Sequence, residues 1–292
     1  IATLLIATAL LKGTGMTGYA GMVSAICVGT VICIVAAMAG DTSQDLKTGY
    51  IVGATPLWQQ IGELIAFCKQ IKPDVKVMVD NCYGEFTQKK EPTEVGADLI
   101  MGSLIKNPGG GLAPTGGYIA GKADLIKQIA FRMTAPGVGS EVGSYAFGYR
   151  LFYQGFFMAP HITMQAVKSA LTFSKVFRTL GYNAMPFDNT VMSDIICSIK
   201  FDSKEQLVSF IQSVQYVSPI DSFVTPYPWD MPGYADQVIM AAGAFVQGSS
   251  IELSADSPIK EPYVAYLQGG LTYEHALIAI KKCVQSINDL RR

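Results

Sequence analysis

Two stretches decide how this chain is read: Val77-Met78-Val79-Asp80-Asn81-Cys82-Tyr83-Gly84-Glu85, and Gly102-Ser103-Leu104-Ile105-Lys106-Asn107-Pro108-Gly109-Gly110-Gly111. The first predicts a buried strand that delivers an aspartate at its C-terminal end. The second predicts the end of another apolar strand, with Ser103 at its tip and Lys106 three residues on. A glycine-rich loop follows at once. Open α/β sheets bind ligands beyond the carboxyl ends of their strands. Two adjacent strand ends therefore bring Asp80, Ser103 and Lys106 around one ligand.

The elements on either side agree with such a sheet. Thr55-Pro56 suits a helix start, with threonine as N-cap and proline at the first helical position. Leu57, Ile61, Leu64, Ile65, Cys68 and Ile71 then recur at helical spacing, which predicts one buried face. The expected elements that follow are a strand over 75–79, a turn-rich connection with one helical turn over 92–97, a strand over 98–103, a strand over 116–121 and a helix over 123–133. This alternation argues for a mainly parallel sheet covered by helices. A helical connector is expected over 141–181, broken in two by Pro160 and stopped by Gly181. Beyond it the pattern predicts strands over 195–201, 244–253 and 263–267, a helix over 204–217, and a last helix capped by Thr272 and running to about residue 290. A proline-rich loop spans 218–233. The predicted domains are an atypical apolar segment over 1–47, part of a large domain with its connecting helices over 48–180, and a smaller α+β domain over 181–292.

Composition narrows the classes of function. The chain has 292 residues, half of them hydrophobic and 15% charged, with a formal net charge of −1. No strong basic run points to nucleic acid. The six cysteines form no CxxC pair and lie mostly in apolar runs, as expected of buried thiols in a reducing compartment. His161 and His275 lack companions at metal-ligand spacing. Met22 to Gly40 is uncharged but rich in Ala, Gly, Ser and Thr and has no basic flank. Burial within an α/β domain is favoured for it, with a membrane span left open. The start at Ile1 predicts a fragment or a processed form.

The order carboxylate strand, serine-x-x-lysine strand, glycine loop suits pyridoxal 5'-phosphate (PLP). That cofactor needs an amine for its aldehyde, a carboxylate for its ring nitrogen, and hydroxyls or backbone amides for its phosphate. Lys106 is flanked by Leu104, Ile105 and Pro108. A dehydrated lysine is expected to have a lowered pKa and to be the better nucleophile. Taken singly, Asp80 is equally a turn former, Lys106 a surface lysine, and Ser103 uninformative; the joint order carries the reading.

Asp80-Asn81-Cys82-Tyr83 resembles the aspartate motif of the cysteine/methionine-metabolism PLP enzymes of fold type I, and Ser103-Leu104-Ile105-Lys106 their serine-x-x-lysine motif. VDNCYGEF (79–86), EPTEVGADLIMGSLIKNPGGGLAPTGGYIAGKADLI (91–126), TAPGVGSEVG (134–143), SPIDSFVTPYPWDMPGY (218–234), FVQGSSIELSAD (245–256) and LQGGLTYEHA (267–276) resemble the methionine gamma-lyase-like, or aluminium resistance protein, family. The resemblance runs from about residue 48 to the C-terminus. It implies an aminotransferase-like PLP fold type I large domain, incomplete at its N-terminus, with a smaller α+β C-terminal domain. It implies PLP as cofactor, a small amino-acid substrate, no nucleic acid, a cytoplasmic homodimer or homotetramer, and carbon–sulfur lyase chemistry by β- or γ-elimination. Lys106 is carried over as the Schiff-base lysine, Asp80 as the partner of the pyridine nitrogen and Ser103 as a phosphate ligand. The alternative is a catalytically impaired fragment or paralogue that keeps the fold for binding or assembly. Residues 1–47 do not match the family, whose longer N-terminal part supplies an aromatic over the ring and a glycine loop for the phosphate; Gly13-Thr14-Gly15 is a loose candidate for the latter. No arginine lies between Arg178 and Arg291, which leaves Arg132 or Arg150 as candidates for the substrate carboxylate.

Overall fold

The structure is a computed structural model and describes residues 57–291. The expectations for 1–47 and for the Thr55-Pro56 cap lie outside the described residues.

Helix α1 (Leu57–Ile71) carries the expected period but buries only part of that face. Ile65 is inside, while Leu64 and Ile71 are exposed. Strand β1 (Met78–Asp80) is shorter than its apolar run and is half open, with Met78 and Asp80 exposed, where a buried strand was expected; among the described residues it pairs on one side only. A 3-10 turn at Pro92–Val95 leads to β2 (Leu99–Ser103). A second 3-10 turn, Asn107–Gly109, leads to β3 (Gly117–Gly121), and α2 (Ala123–Met133) follows with the bounds read from sequence.

These strands form a three-stranded sheet in the order β1-β2-β3. β1 and β2 are parallel, with Asp80 opposite Met101. β3 turns back antiparallel along β2, with Ser103 opposite Gly117. Among the described residues, one of the two pairings of this sheet is parallel and the other antiparallel. The return from β2 to β3 is taken up by the lysine turn and the 3-10 turn Asn107–Gly109 rather than by a crossover helix.

Beneath this sheet, buried Asp98 holds three elements at once. Its carboxylate meets Lys122 at 2.5 Å and Lys69 of α1 at 3.4 Å, and it accepts the Val77 N–H at 2.9 Å just before β1. These partners hold its carboxyl far below the usual range, the Lys122 bond first among them.

Helix α3 (Arg150–Thr179) is one continuous rod with Pro160 inside it, and 141–149 is not helical. The break expected at the proline does not occur. Proline removes one bond, to the carbonyl four residues back. That carbonyl belongs to Phe156, an exposed residue that water can serve. Gly181 stops the helix as expected, at φ 91°.

The second sheet is antiparallel throughout, in the order β4-β5-β8-β7-β6. Its strands are β4 (Asn183–Met185), β5 (Ile196–Lys200), β6 (Val238–Ala241), β7 (Ser254–Pro258) and β8 (Val264–Gln268). Helices α4 (Lys204–Tyr216) and α5 (Tyr273–Leu290) pack on it, the latter capped by the Thr272 hydroxyl, which accepts the His275 N–H. Phe173 and Phe177 from α3 join Phe201, Phe210, Ile199, Leu267 and Ile287 in a closed core. The strand expected over 244–253 is instead a run of turns between β6 and β7. Glu252, itself buried, folds this loop by accepting the N–H groups of Phe245 and Val246 at 2.8 and 3.1 Å.

Candidate cofactor and active site

Because β1 and β2 run in the same direction, their C-terminal ends open on the same edge of the sheet. Asp80 is the last residue of β1, and its Oδ1 accepts the Cys82 N–H at 3.0 Å. A tight loop follows in which Tyr83 and Phe86 stand at φ 73° and 62°. Non-glycine residues enter that region only when the surroundings hold them. Here Asn81 donates its backbone N–H to Met101 and its side-chain amide to Glu91, and the other Glu91 oxygen accepts the Phe86 N–H.

Ser103 closes β2. Its hydroxyl accepts the Ile105 N–H at 3.3 Å, which turns the chain so that Lys106 follows at the strand tip. The Lys106 amine stands 4.7 Å from the centre of the Tyr83 ring. Fully buried Asn107 ties the two strand ends together, since its side-chain amide donates to the carbonyls of Tyr83 at 3.0 Å and Glu85 at 3.1 Å. The later half of the chain reaches the same place. The Tyr83 hydroxyl bonds the Ser250 hydroxyl at 2.8 Å, and Gly248 lies against Ile105.

The charges here are mutually adjusted. Burial disfavours the Lys106 ammonium, but Tyr83, Cys82, Asp80 and Glu85 together outweigh it and the amine is pushed up. This corrects the lowered lysine pKa expected from its apolar neighbours in sequence. The neighbours in space are acids. Burial pushes the Cys82 thiol up to about 11, against the pull of Lys106. Burial likewise pushes Glu85 up to about 7, against backbone and Tyr118 hydrogen bonds that favour its ionised form.

The glycine loop has another use than the one expected. A Cβ at Gly109 would stand 1.7 Å from the Leu104 carbonyl oxygen, and one at Gly155 would stand 2.1 Å from the Gly109 carbonyl oxygen. Gly109 and Gly110 thus let α3 lie directly on the lysine turn, backbone against backbone. They are occupied by that contact and form no open cradle for a phosphate.

Asp80, Ser103 and Lys106 are therefore brought to neighbouring strand ends. Arg132 and Arg150 are exposed, in the last turn of α2 and the first of α3. Tyr83, Glu85, Asn107 and Ser250 were not singled out from sequence. The first two lie inside the aspartate stretch. Ser250, distant in sequence, gave no signal.

Comparison with known proteins now places the chain. The family model for methionine gamma-lyase matches residues 44–288, and the chain belongs to that family. A model for OPT oligopeptide transporter proteins matches residues 1–71, less than half of the chain and mostly outside the described residues. YnbB of Bacillus subtilis (strain 168) is 51% identical over 239 residues, 82% of this chain and 57% of its own. The 33.9 kDa protein of the glnA 5' region of Lactobacillus delbrueckii subsp. bulgaricus is 48% identical over 239 residues, covering 82% of this chain and 78% of its own. Among solved structures, the carbon-sulfur lyase involved in aluminum resistance from Clostridium novyi NT is 55% identical with a TM-score of 0.75, over 79% of this chain and 54% of that one. The chain spans little more than half the length of the YnbB and Clostridium novyi proteins. Cystathionine gamma-lyase from yeast, 14% identical with a TM-score of 0.52 over 78% of this chain and 60% of its own, shares the fold alone.

Proposed function

We propose that this chain carries the lysine-bearing part of a PLP-dependent carbon–sulfur lyase that acts on a sulfur-containing amino acid by β- or γ-elimination. One observation carries the reading: Asp80, Ser103 and Lys106 stand at adjacent ends of parallel strands, with Lys106 inside the field of Asp80. The donor set fits the cofactor. Lys106 would hold its aldehyde carbon, Asp80 would pair with its ring nitrogen, and the Ser103 hydroxyl would bond its phosphate. When bound, PLP supplies an electron sink next to the substrate's α-carbon. With the cofactor in place, the Lys106 amine would be the base that takes the substrate's α-proton at Nζ. Asn107 keeps the lysine turn and the aspartate loop in register during that transfer.

The solved Clostridium novyi lyase supports a sulfur-based leaving group. The working form would be a cytoplasmic homodimer or homotetramer, in which sequence beyond the described residues completes the phosphate and ring contacts. A second reading, a chain that binds PLP without turnover, is favoured by the transporter-like match over residues 1–71, where those contacts would be expected.

The test is reduction with borohydride after PLP addition, followed by peptide mass spectrometry. Wild type is expected to carry the label on Lys106 and to show a visible absorbance band; Lys106→Ala is expected to lose both. No labelled lysine, or labelling elsewhere, would overturn the assignment. Labelling without keto acid or thiol release from cystathionine, methionine or cysteine would select the second reading.

A further inference from the structure

The antiparallel sheet reaches the lysine turn through one loop, and that contact has no part in the roles above. Residues 242–253 lead from β6 to β7 and are folded by the buried carboxylate of Glu252. The loop touches the strand ends at Gly248 and Ser250. At Gly248 (φ 77°) a Cβ would stand 3.4 Å from the side chain of Ile105, the neighbour of Lys106. The buried Ser250 hydroxyl bonds the Tyr83 hydroxyl at 2.8 Å. Tyr83 is held at its other end as well, where its carbonyl accepts the Asn107 side-chain amide at 3.0 Å. It also packs against the buried cluster of Ala166, Ile195 and Ile251. Between the two bonds lies the ring, and the Lys106 amine stands 4.7 Å from its centre. A tyrosine at φ 73° needs such holding, since that backbone region is costly for any residue with a side chain. Packing alone would be served by a phenylalanine opposite an alanine; the hydroxyl pair adds direction, because it fixes the far edge of the ring.

We propose that Ser250 is a positioning residue for Lys106: its hydroxyl fixes the Tyr83 ring, and the ring face holds the amine at the tip of β2. A lysine side chain is long and flexible, and an aromatic face attracts its charged end from within about 6 Å. The orientation of that face therefore sets where the amine rests. The attraction favours the ammonium over the free amine, so the ring also restrains the reactivity of Lys106. The other titratable groups facing the lysine are Cys82, Asp80 and Glu85, on β1 and the aspartate loop. Ser250 is uncharged and its hydroxyl bonds Tyr83, so its effect on the amine passes through the ring. The proposal deepens the lysine assignment above and rests on it for its purpose, though not for its measurement.

The experiment is competitive acetylation of the purified chain without added PLP, with Lys106 reactivity followed against pH by peptide mass spectrometry. Tyr83→Leu removes the ring, and Lys106 should then react about three- to tenfold faster than wild type at about pH 8. Ser250→Ala and Tyr83→Phe each break the hydroxyl pair and should give a smaller gain, about two- to threefold, with the double variant gaining no more than either alone. Ser250→Thr keeps a hydroxyl and should restore the wild-type profile. A merely structural contact would lower the melting temperature and leave the profile in place. An unchanged profile in folded Ser250→Ala overturns the proposal, as does a double variant whose gain is the product of the two singles. If Ser250→Ala or Tyr83→Leu fails to fold, Tyr83→Phe decides, and an unchanged profile there overturns it. Failure of borohydride trapping in wild type would instead count against the PLP reading and leave this profile readable.

Discussion

Placing the Glu85 carboxylate in a buried site costs more than its hydrogen bonds return, and the sign of the resulting pH dependence is fixed. Its folded-state pKa of about 7 lies above its ordinary value of 4.5. The folded protein therefore binds the extra proton, and this contribution to stability is complete below about 4.5 and lost as pH rises through about 7. Over that window wild type should lose about 3 kcal/mol relative to Glu85→Gln. Urea denaturation of both proteins at several pH values measures it; parallel stability curves would show that folding does not raise the affinity of this carboxyl for its proton. The same side chain shows what sequence could reveal. The placement of Asp80, Ser103 and Lys106 at neighbouring strand ends was legible because a strand end followed by a turn is a local pattern. The raised amine of Lys106 was not, since Tyr83, Cys82 and Glu85 reach it only after the aspartate loop has folded. Ser250 meets Tyr83 across 167 positions of sequence, and no local signal spans that.

At the scale of elements, two junctions hold the lysine-bearing sheet. Asp98 joins α1, the entry to β1 and the start of α2 through one carboxylate. Asp98→Asn should cost about 2 kcal/mol, less than a fully buried pair because both lysines keep access to water. Its depressed pKa means that wild type draws this stability above the ordinary value of 3.8 and loses it in more acid solution, so the melting temperatures of the two proteins should converge as pH falls. The other junction is α3 on the lysine turn. Gly155→Ala puts a methyl group on the Gly109 carbonyl. The expected result is separation of the helix from the turn, with a fall of several degrees in melting temperature and loss of PLP capture at Lys106. Retention of both would mean that the backbone contact is dispensable. Elements with strong local signals, such as α2 and the Thr272-capped α5, were readable to within a residue or so. The loop over 244–253 has apolar residues at both ends, Ala244 to Val246 and Ile251 with Leu253, which suggests a strand by composition. The carboxylate of Glu252, which binds amides six and seven residues back, imposes the turns.

Over the described part of the molecule, apolar material is unevenly spent. The antiparallel sheet encloses a complete aromatic core, with Phe173, Phe177, Phe201 and Phe210 all buried. Phe177→Ala should cost about 3–5 kcal/mol. Around the first half of α3 the distribution is reversed: Phe147 and Phe157 are 88% and 82% exposed. Large exposed apolar residues in company mark a surface that meets another. Phe157→Ser is accordingly expected to leave thermal stability within about 0.5 kcal/mol while lowering the mass seen by sedimentation, as the proposed homo-oligomer requires. An unchanged mass would exclude this face from the interface. The α/β class was legible from helix–strand alternation, but the antiparallel return of β3 was not, because the thirteen residues between β2 and β3 are long enough for either connection.

Pro160 divides α3 into two unequal halves. Before it, Tyr153, Phe156 and Phe157 face outward and only Gly155 and Ala159 are covered; after it, Ala166, Ala170, Phe173 and Phe177 are all inside. The rod therefore has one end rooted in the aromatic core and one end resting on the lysine turn, with a hydrogen bond missing between them. Amide hydrogen exchange should follow this division, with rapid exchange before the proline and slow exchange over 166–177. Local opening of the weak end would lift the cover from Gly109 and Gly110 without disturbing the core. That opening is therefore expected to be felt first at the lysine turn, where Gly155 lies on Gly109.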